Sequence, residues 1–396
     1  MDLDHVTEKV TEQGNTQDLR FAASSMKGWR VSMEDCHTVC TSIPVTSQQK
    51  QLDDHSLFAV YDGHGGTLTS AFAGATFVKL LAMRQEMNKY VVLAKDGSKG
   101  RCDVTGIELL REALKGTFED MDVELRRIHA MRNEELQKEQ KEAEDGRTKT
   151  ERSGSTIIVV MVTPTHILCA NAGDSRAILK RGDRILPLSF DHKPSNVPET
   201  ERIVAAGGFV KMKRVDGDLA VSRGLGDFSF KAEEDIVARK QKVICNPDVI
   251  VYPRDEVNDQ FIILACDGIW DVATNELCGG MVQRIFDEGE TNIGLVCEEI
   301  LDMCLEKNSR DNMTLVMVCF PGIKMSHLEG SNVVYKRRAI RRSRILELKA
   351  KQTAQRAAKN IGLDLVLTKV VANNNSQHRP RASTRQGAAK VVTGVN

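Results

Sequence analysis

Apolar and often β-branched residues recur in short runs along the chain as far as residue 320, and glycine, proline or asparagine separates many of these runs. Short runs of such residues between turn-forming residues are typical of β-strands. The pattern predicts strands at 57–61, 156–162, 166–170, 176–179, 261–265 and 314–320.

Apolar positions that repeat every three, four and seven residues predict helices at 107–128, 275–286 and 292–305. After residue 131 the apolar stripe thins, and 12 of the 19 residues in 134–152 are charged. We therefore expect the first helix to extend into solvent and then end in a loop, and we interpret 132–152 as a solvated charged insertion. Strand pairs between long helices, without a regular β-α-β alternation, favour mostly antiparallel sheets covered by helices.

The longest segment without a charged residue is 153–173, which has the length of a membrane span. It contains Pro164, His166 and Asn171, and β-branched residues dominate its apolar part. These features predict two strands joined at 163–165 rather than a membrane helix. No contact with a membrane is expected.

Composition alone indicates a globular protein, because 41% of the 396 residues are hydrophobic. The 55 basic and 55 acidic residues cancel overall, but their distribution is uneven. Residues 324–396 contain 16 basic and 3 acidic residues, a net charge of +13, so residues 1–323 carry −13. An acidic body is therefore followed by a basic tail.

The tail predicts a basic helix at 334–351, and its polar composition from 373 onward favours disorder. Three interpretations remain open: a solvated tail, a helix for nuclear localisation or partner docking, and a nucleic-acid-binding segment. The last is disfavoured because Tyr335 is the only aromatic residue beside the basic run 336–344, which leaves no stacking platform. The partner of the tail is unknown.

The ten cysteines form no C-x-x-C pair, and several lie in apolar runs such as 263–266. This spacing predicts reduced, buried thiols rather than disulfides or a zinc site. The charged N-terminus has no apolar segment typical of a secretory signal. We expect a monomer in the cytoplasm, with the nucleus as a further location.

Carboxylates stand at the ends of apolar strands or in glycine turns in four clusters: 30–35, 61–66, 265–271 and 309–312. A single Asp-Gly after a strand is usually a turn, but four such clusters are harder to explain as turns alone. Lysine and arginine are scarce within them, so converging carboxylates would need metal ions, and an all-oxygen ligand set selects Mg²⁺ or Mn²⁺. Two such ions about 3.5 to 4 Å apart form a centre that cleaves phosphoesters.

The chain from about 19 to 320 resembles the metal-dependent serine/threonine protein phosphatases of the protein phosphatase 2C (PPM) family. The resemblance rests on these four clusters and on five further motifs, at 153–156, 171–176, 191–194, 201–208 and 219–227. It implies an α/β sandwich in which two mostly antiparallel β-sheets pack face to face and are flanked by helices. It also implies hydrolysis of phosphoserine and phosphothreonine in a phosphoprotein substrate by metal-activated water.

The same resemblance divides the chain into an N-terminal extension at 1–18, a catalytic domain at 19–322 and a basic C-terminal extension at 323–396. Within the catalytic domain, residues from about 191 to 248 correspond to a flap beside the active site. A pseudophosphatase that uses this fold as a scaffold or binding module remains the alternative, and it is disfavoured because the carboxylates are present.

The resemblance assigns the metal ligands residue by residue. It implies that Asp62 bridges two ions, that Asp267 and Asp311 complete one site, and that Glu34 and the Gly63 carbonyl complete the other. A third, weaker ion would be held by residues that match Asp174 and Asp271, together with Asp267.

The resemblance also assigns four residues around the ions. Arg30 would bind the substrate phosphate, and His64 would be the general acid that protonates the leaving oxygen, although a structural turn histidine is the alternative for His64. Asp35 and Thr156 would orient waters and ligands. Ser32 departs from the family pattern, since many relatives have an acidic residue there.

Overall fold

The computed structural model describes residues 6–45, 50–93, 104–143 and 150–323, and beyond these only helical residues at intervals between 336 and 350. The chain divides into two compact units, Met1–Tyr335 and Lys336–Asn396. In the second unit, the described residues of the predicted basic helix are helical, and those with described side chains are mostly exposed. The predicted disorder from 373 onward lies outside the described residues.

The strands of the first unit are β1 Val6–Asn15, β2 Arg20–Gly28, β3 Cys36–Cys40, β4 Ile43–Val45, β5 Lys50–Leu52, β6 Ser56–Tyr61, β7 Gly63–His64, β8 Gly154–Ser155, β9 Ile157–Val162, β10 His166–Ala172, β11 Arg176–Arg181, β12 Arg184–Pro187, β13 Val210–Lys211, β14 Arg214–Val215, β15 Leu225–Gly226, β16 Asp248–Pro253, β17 Asp259–Ala265 and β18 Met313–Cys319. The helices are α1 Leu68–Met83, α2 Gln85–Leu93, α3 Val104–Ala143, α4 Val197–Ala205, α5 Asp267–Trp270, α6 Asn275–Asp287 and α7 Ile293–Glu306.

Two large sheets form the centre of the unit. The first has the order β1-β2-β18-β17-β11-β12, and the second has the order β16-β10-β9-β6-β3. Every adjacent pair in both sheets is antiparallel. A small third sheet, β15-β8-β7, lies beside the predicted site residues.

Alternation along the buried strands creates three apolar layers. On β6, Phe58 and Val60 face the other large sheet, whereas Leu57 and Ala59 face helices. Because successive side chains of a strand point to opposite faces, a strand buried on both faces is apolar at every position. The core between the sheets is therefore continuous with neither of the two cores under the helices.

Helices cover both outer faces. Helices α1, α2 and α3 pack on the second sheet, where Phe77 and Phe118 meet edge to face with ring centroids 5.6 Å apart. Helices α6 and α7 pack on the first sheet. The result is a four-layer sandwich of helices, sheet, sheet and helices, as predicted.

The flap at 191–248 contains α4, the β13–β14 hairpin and two short 3-10 turns at Phe228–Phe230 and Ala238–Lys240. It has a small core of its own around Ile203, Val215 and Val243. The buried carboxylate of Glu199 accepts hydrogen bonds of 2.6 Å from both Arg202 and Arg223. This ion-pair group holds α4 against the segment that leads to the site.

The predicted strands are all present, with small differences at their ends. The segment 153–173 forms two strands joined at 163–165, as predicted. In the described residues, no helix combines the length and apolar character needed to cross a membrane. Helix α3 extends the predicted first helix to Ala143, and ion pairs such as Arg132 with Glu135 lie on its exposed part.

Sequence patterns did not identify α1, α2, β1 or β2. Helix α1 is rich in small residues and has little difference between its faces, so no apolar stripe marks it. Strand β1 alternates exposed and half-buried residues at the edge of the first sheet, paired with β2. Residues 6–15 of the segment interpreted as an N-terminal extension are therefore part of this sheet.

Candidate functional site

The predicted metal ligands lie where strands of both large sheets end. Asp62 directly follows β6, and Asp174 and Asp267 follow β10 and β17 with one residue between. Asp311 precedes β18, which is antiparallel to β17, so the start of β18 lies beside the end of β17. The topology therefore brings carboxylates from distant parts of the chain to one end of the sandwich.

Asp62, Asp174 and Asp267 form a carboxylate cluster in which one oxygen from each lies within 4.8 Å of the others. The Asp267 amide also donates a long hydrogen bond of 3.4 Å to Oδ2 of Asp62. Burial raises the pKa of all three, and repulsion from neighbouring carboxylates adds to the effect for Asp62 and Asp267. The pKa of Asp267 is raised to about 8. The cluster is thus unfavourable in its ionised form unless cations lie among the carboxylates.

Two basic side chains form ion pairs with the predicted metal ligands. Lys193 pairs with Asp174, and Arg30 pairs with Asp311. Within the described part of the chain, Asp62 and Asp267 form no salt bridge with a basic side chain. Among the described residues, the carboxylates of Asp62 and Asp267 are therefore not neutralised by a basic side chain. All the donor atoms here are oxygens, and such a donor set fits Mg²⁺ or Mn²⁺.

Glu34 and Gly63 lie against each other. A Cβ atom on Gly63 would be 2.2 Å from the Glu34 carbonyl oxygen, so a larger residue would force the two segments apart. The hydroxyl of Ser32 donates a hydrogen bond of 2.8 Å to Oε1 of Glu34, and the Glu34 amide donates one of 2.8 Å to Oδ1 of Asn312. Because Asn312 directly follows Asp311, this hydrogen bond connects the segment of Glu34 to the segment of Asp311.

Asp35 and Thr156 both lie close to Asp62. The Thr156 amide donates a hydrogen bond of 2.9 Å to the Asp62 carbonyl oxygen. Asp35 Oδ2 accepts one of 2.7 Å from Thr314, whereas Oδ1 is buried and has no hydrogen-bond partner in the described residues. Burial raises the pKa of Asp35 to about 6. A buried acceptor of this kind fits a site that carries ordered water around ions.

Cys266 shares a second such group with Asp35 and Asp62, each contributing one atom. Its thiol donates toward the Asn312 carbonyl at 3.5 Å and accepts from the Thr314 amide at 3.1 Å. Burial raises the pKa of the Cys266 thiol well above its usual range, which favours the protonated thiol.

Asp271 is not one of the three residues of the carboxylate cluster. It is the exposed residue directly after α5, and its amide donates to the Asp267 carbonyl oxygen at 2.8 Å. Its charge still contributes to the raised pKa of Asp267. Two residues, Asp174 and Asp271, were assigned to the third ion and to no other. Of these two, Asp174 belongs to the carboxylate cluster.

His64 is held by Asp227, whose two carboxylate oxygens each lie 2.9 Å from Nε2 of His64. Burial is the largest influence on the imidazole and lowers its pKa. Attraction to Asp227, with smaller contributions from Asp174 and Glu34, outweighs burial, and the pKa of His64 is raised. The contact with Asp227 thus favours the protonated form of the imidazole, which is the form that a general acid requires.

Several of these groups line an open cleft of about 420 Å³, in which the flap forms one wall. Arg30 has 55% of its side chain exposed. The lining residues are Arg30, Asp62, Gly63, His64, Gly65, Arg152, Thr156, Asp174, Arg214, Asp218, Leu219, Ala220, Val221, Asp227, Ser229, Phe230, Asp267 and Asp311.

Sequence reasoning did not assign roles to Lys193 and Asp227. Both lie in motifs that support the family resemblance, 191–194 and 219–227, so their segments were recognised. Asp227 is separated from His64 by 163 positions. Contact over that separation has no signature in local spacing, which explains why only the folded structure pairs them.

Comparison with known proteins agrees with this geometry. The family model described as protein phosphatase 2C matches residues 19–313. Protein phosphatase 1A of Homo sapiens is 39% identical over 315 residues, which cover 79% of this chain and 74% of that protein. Protein phosphatase 1B of Mus musculus is also 39% identical over 315 residues, which cover 79% of this chain and 73% of that protein.

Solved structures show the same architecture. A serine-threonine phosphatase 2C from Toxoplasma gondii superposes with a TM-score of 0.63 at 21% sequence identity, covering 79% of this chain and 99% of that one. At this identity the similarity concerns the fold, and it confirms the predicted sandwich. The family model and the two mammalian relatives cover most of the chain, and with them the predicted family is confirmed: this chain belongs to the protein phosphatase 2C family.

Proposed function

We propose that the cleft is the active site at which this chain hydrolyses phosphoserine and phosphothreonine, with two Mg²⁺ or Mn²⁺ ions held by its carboxylates. As a family member the chain is a serine/threonine phosphoprotein phosphatase, and metal dependence is general to the family. The observation that carries the assignment of the site is the convergence of Asp62, Asp174 and Asp267.

Asp62, Asp267 and Asp311 would hold one ion, and Asp62 with Glu34 and the Gly63 carbonyl would hold the other. The hydrogen bond from the Asp267 amide to Asp62, and the close approach of the Glu34 main chain to Gly63, bring these residues together as this division requires. When bound, the ions supply neutralisation of the phosphate and activation of the attacking water.

Asp174 and Asp271, with Asp267, would form a weaker third site. Lys193 already pairs with Asp174, and Asp271 is exposed, so an ion at this site would compete with the lysine and be less enclosed. Asp35 and Thr156 would orient the ligand shell through their contacts around Asp62.

Arg30 would bind the substrate phosphate. Its Nη2 donates to Asp311, which holds the guanidinium at the edge of the carboxylate group. The remaining donors of an exposed guanidinium can engage two phosphate oxygens at once, a geometry that lysine lacks.

His64 would donate a proton to the serine or threonine oxygen as the phosphoester bond breaks. Its partial exposure on the cleft allows contact with a substrate, and the charge of Asp227 favours its protonated form. Proton donation matters most for an alkoxide leaving group, because an unprotonated serine or threonine oxygen leaves poorly.

The test is release of phosphate from a phosphothreonine peptide with Mn²⁺, with Mg²⁺ and with EDTA. We expect release with either ion and none with EDTA, and an inactive Asp267→Asn variant. Equal release with EDTA would exclude the ion sites. No release under any condition from a folded protein would favour the scaffold alternative.

A further inference from the structure

The contact between Asp227 and His64 determines which nitrogen of the imidazole faces a substrate. Both carboxylate oxygens of Asp227 lie 2.9 Å from the same ring nitrogen, Nε2. A carboxylate accepts hydrogen bonds and does not donate them, so Nε2 must carry a proton. Nδ1 is then the nitrogen left for the leaving oxygen in the cleft.

The carboxylate is fixed by its surroundings. Asp227 is 4% exposed, and its backbone adopts a left-handed conformation with φ of 52°. Its amide donates to the Ser153 carbonyl at 3.4 Å, and its own carbonyl accepts from Phe230 at 2.9 Å. Such backbone strain is maintained where the surrounding structure over-determines the position.

Gly154 is the residue that admits the carboxylate. A Cβ atom at this position would lie 2.1 Å from Oδ2 of Asp227. Gly154 is also the cross-strand partner of His64 on one side and of Gly226 on the other. The small sheet β15-β8-β7 therefore places His64 and Asp227 on opposite sides of Gly154.

We propose that Asp227 is a positioning residue for the phosphatase reaction, which orients the His64 ring with Nδ1 toward the leaving oxygen. This inference rests on the proposed role of His64 as general acid. In the reaction, the phosphorus–oxygen bond of the substrate breaks and the leaving oxygen takes the proton from Nδ1. Solvent returns a proton to Nδ1 afterwards, and Asp227 keeps its hydrogen bond to Nε2 throughout.

The main experiment compares Asp227→Asn with His64→Gln and with the double variant, in the full chain with Mn²⁺. The matched control is Asp235→Asn, an exposed carboxylate of the same flap that does not line the cleft. Substrates are a phosphothreonine peptide, whose leaving group needs protonation, and p-nitrophenyl phosphate, whose leaving group needs little.

For Asp227→Asn we expect kcat on the peptide to fall by about 10- to 100-fold with KM nearly unchanged, and activity on p-nitrophenyl phosphate to fall by less than about threefold. The double variant should be no more than about threefold slower on the peptide than His64→Gln alone. The proposal would be overturned if the activity losses of the two single variants multiplied in the double variant. Equal losses of Asp227→Asn on both substrates would also overturn it. Wild-type protein that releases no phosphate would instead contradict the proposed function itself.

A second measurement on wild-type protein covers the case in which Asp227→Asn does not fold. Histidine labelled with ¹⁵N reports which ring nitrogen is protonated, and His64→Gln identifies the signal of His64. We expect a proton on Nε2 of the neutral ring. A neutral ring protonated on Nδ1 would overturn the proposal.

Discussion

The Lys193 ammonium forms an ion pair with the carboxylate of Asp174, a member of the carboxylate cluster. Burial lowers the pKa of Lys193, but Asp174, Asp267 and Asp271 outweigh burial and raise it. The lysine is thus a permanent cation at the edge of a group of acids that we assign to metal ions. Its charge opposes any further cation beside Asp174.

Replacing that lysine should strengthen divalent cation binding. We expect Lys193→Met to lower the Mn²⁺ concentration for half-maximal binding about three- to tenfold, because one positive charge beside the carboxylates is removed. Isothermal titration with Mn²⁺ measures this, with Lys240→Met as an exposed control. Unchanged or weaker binding would show that Lys193 does not compete with ions.

Metal removal should lower thermal stability. Ions that bind only the folded state stabilise it by about 2.7 kcal/mol at 100 times their dissociation constant. We expect EDTA to lower the melting temperature of the wild type clearly and that of Asp267→Asn much less, while this variant loses activity by orders of magnitude. Near-normal Mn²⁺-stimulated activity of Asp267→Asn would contradict its role as a ligand.

Substitution of Arg30 should separate phosphate binding from chemistry. Arg30→Ala should raise KM for the phosphopeptide at least tenfold and change kcat less, because a charged hydrogen-bond pair to the phosphate is lost. Arg30→Lys should recover only part of the loss. The control is Arg310→Ala, whose guanidinium lies over the Trp29 ring at 5.8 Å. Equal effects of Arg30→Ala and Arg310→Ala on KM would contradict the assignment.

The base of the flap should lose stability in acid. Hydrogen bonding from His192 and the nearby charge of Arg223 lower the pKa of Asp248 to about 2 in the folded protein. A lowered folded pKa contributes stability above the unfolded pKa near 4, and this contribution disappears as the pH falls toward 2. We expect wild type to exceed Asp248→Asn in free energy of unfolding at pH 6, and the difference to shrink between pH 4 and 2. Urea unfolding measures it; a difference independent of pH would contradict the mechanism.

The basic tail should be dispensable for chemistry. Strand β18 ends at Cys319, and Ile323 packs on the core beneath α6 and α7, so a chain truncated after Ile323 retains the described catalytic unit. We expect it to keep most of its peptide phosphatase activity and its metal response, and to change its cellular location or its partners. Activity assays and imaging of tagged protein test this. A collapsed melting transition would show that the tail is structurally required.

Local sequence was sufficient for several of the buried strands and for helices α3, α6 and α7. The run 261–265 is apolar at every position because it is covered on both faces, and the stripe at 107–128 marks the buried side of α3. Both signals are periodic, and periodicity is a local property of the chain. Weakly patterned elements such as α1 and the edge strand β1 lacked that signal.

The family resemblance predicted the metal ligands, but only the tertiary structure decides which charges and hydrogen bonds surround these carboxylates. Asp62 and Asp267 stand at strand ends 205 positions apart and in different sheets, and only the packing of one sheet on the other places them side by side. Their raised pKa values come from burial and from repulsion by neighbouring carboxylates, both of which depend on the folded structure. The same holds for Asp227 and His64: the residue types are visible in the chain, whereas a hydrogen bond across 163 positions exists only once the small sheet has formed around Gly154.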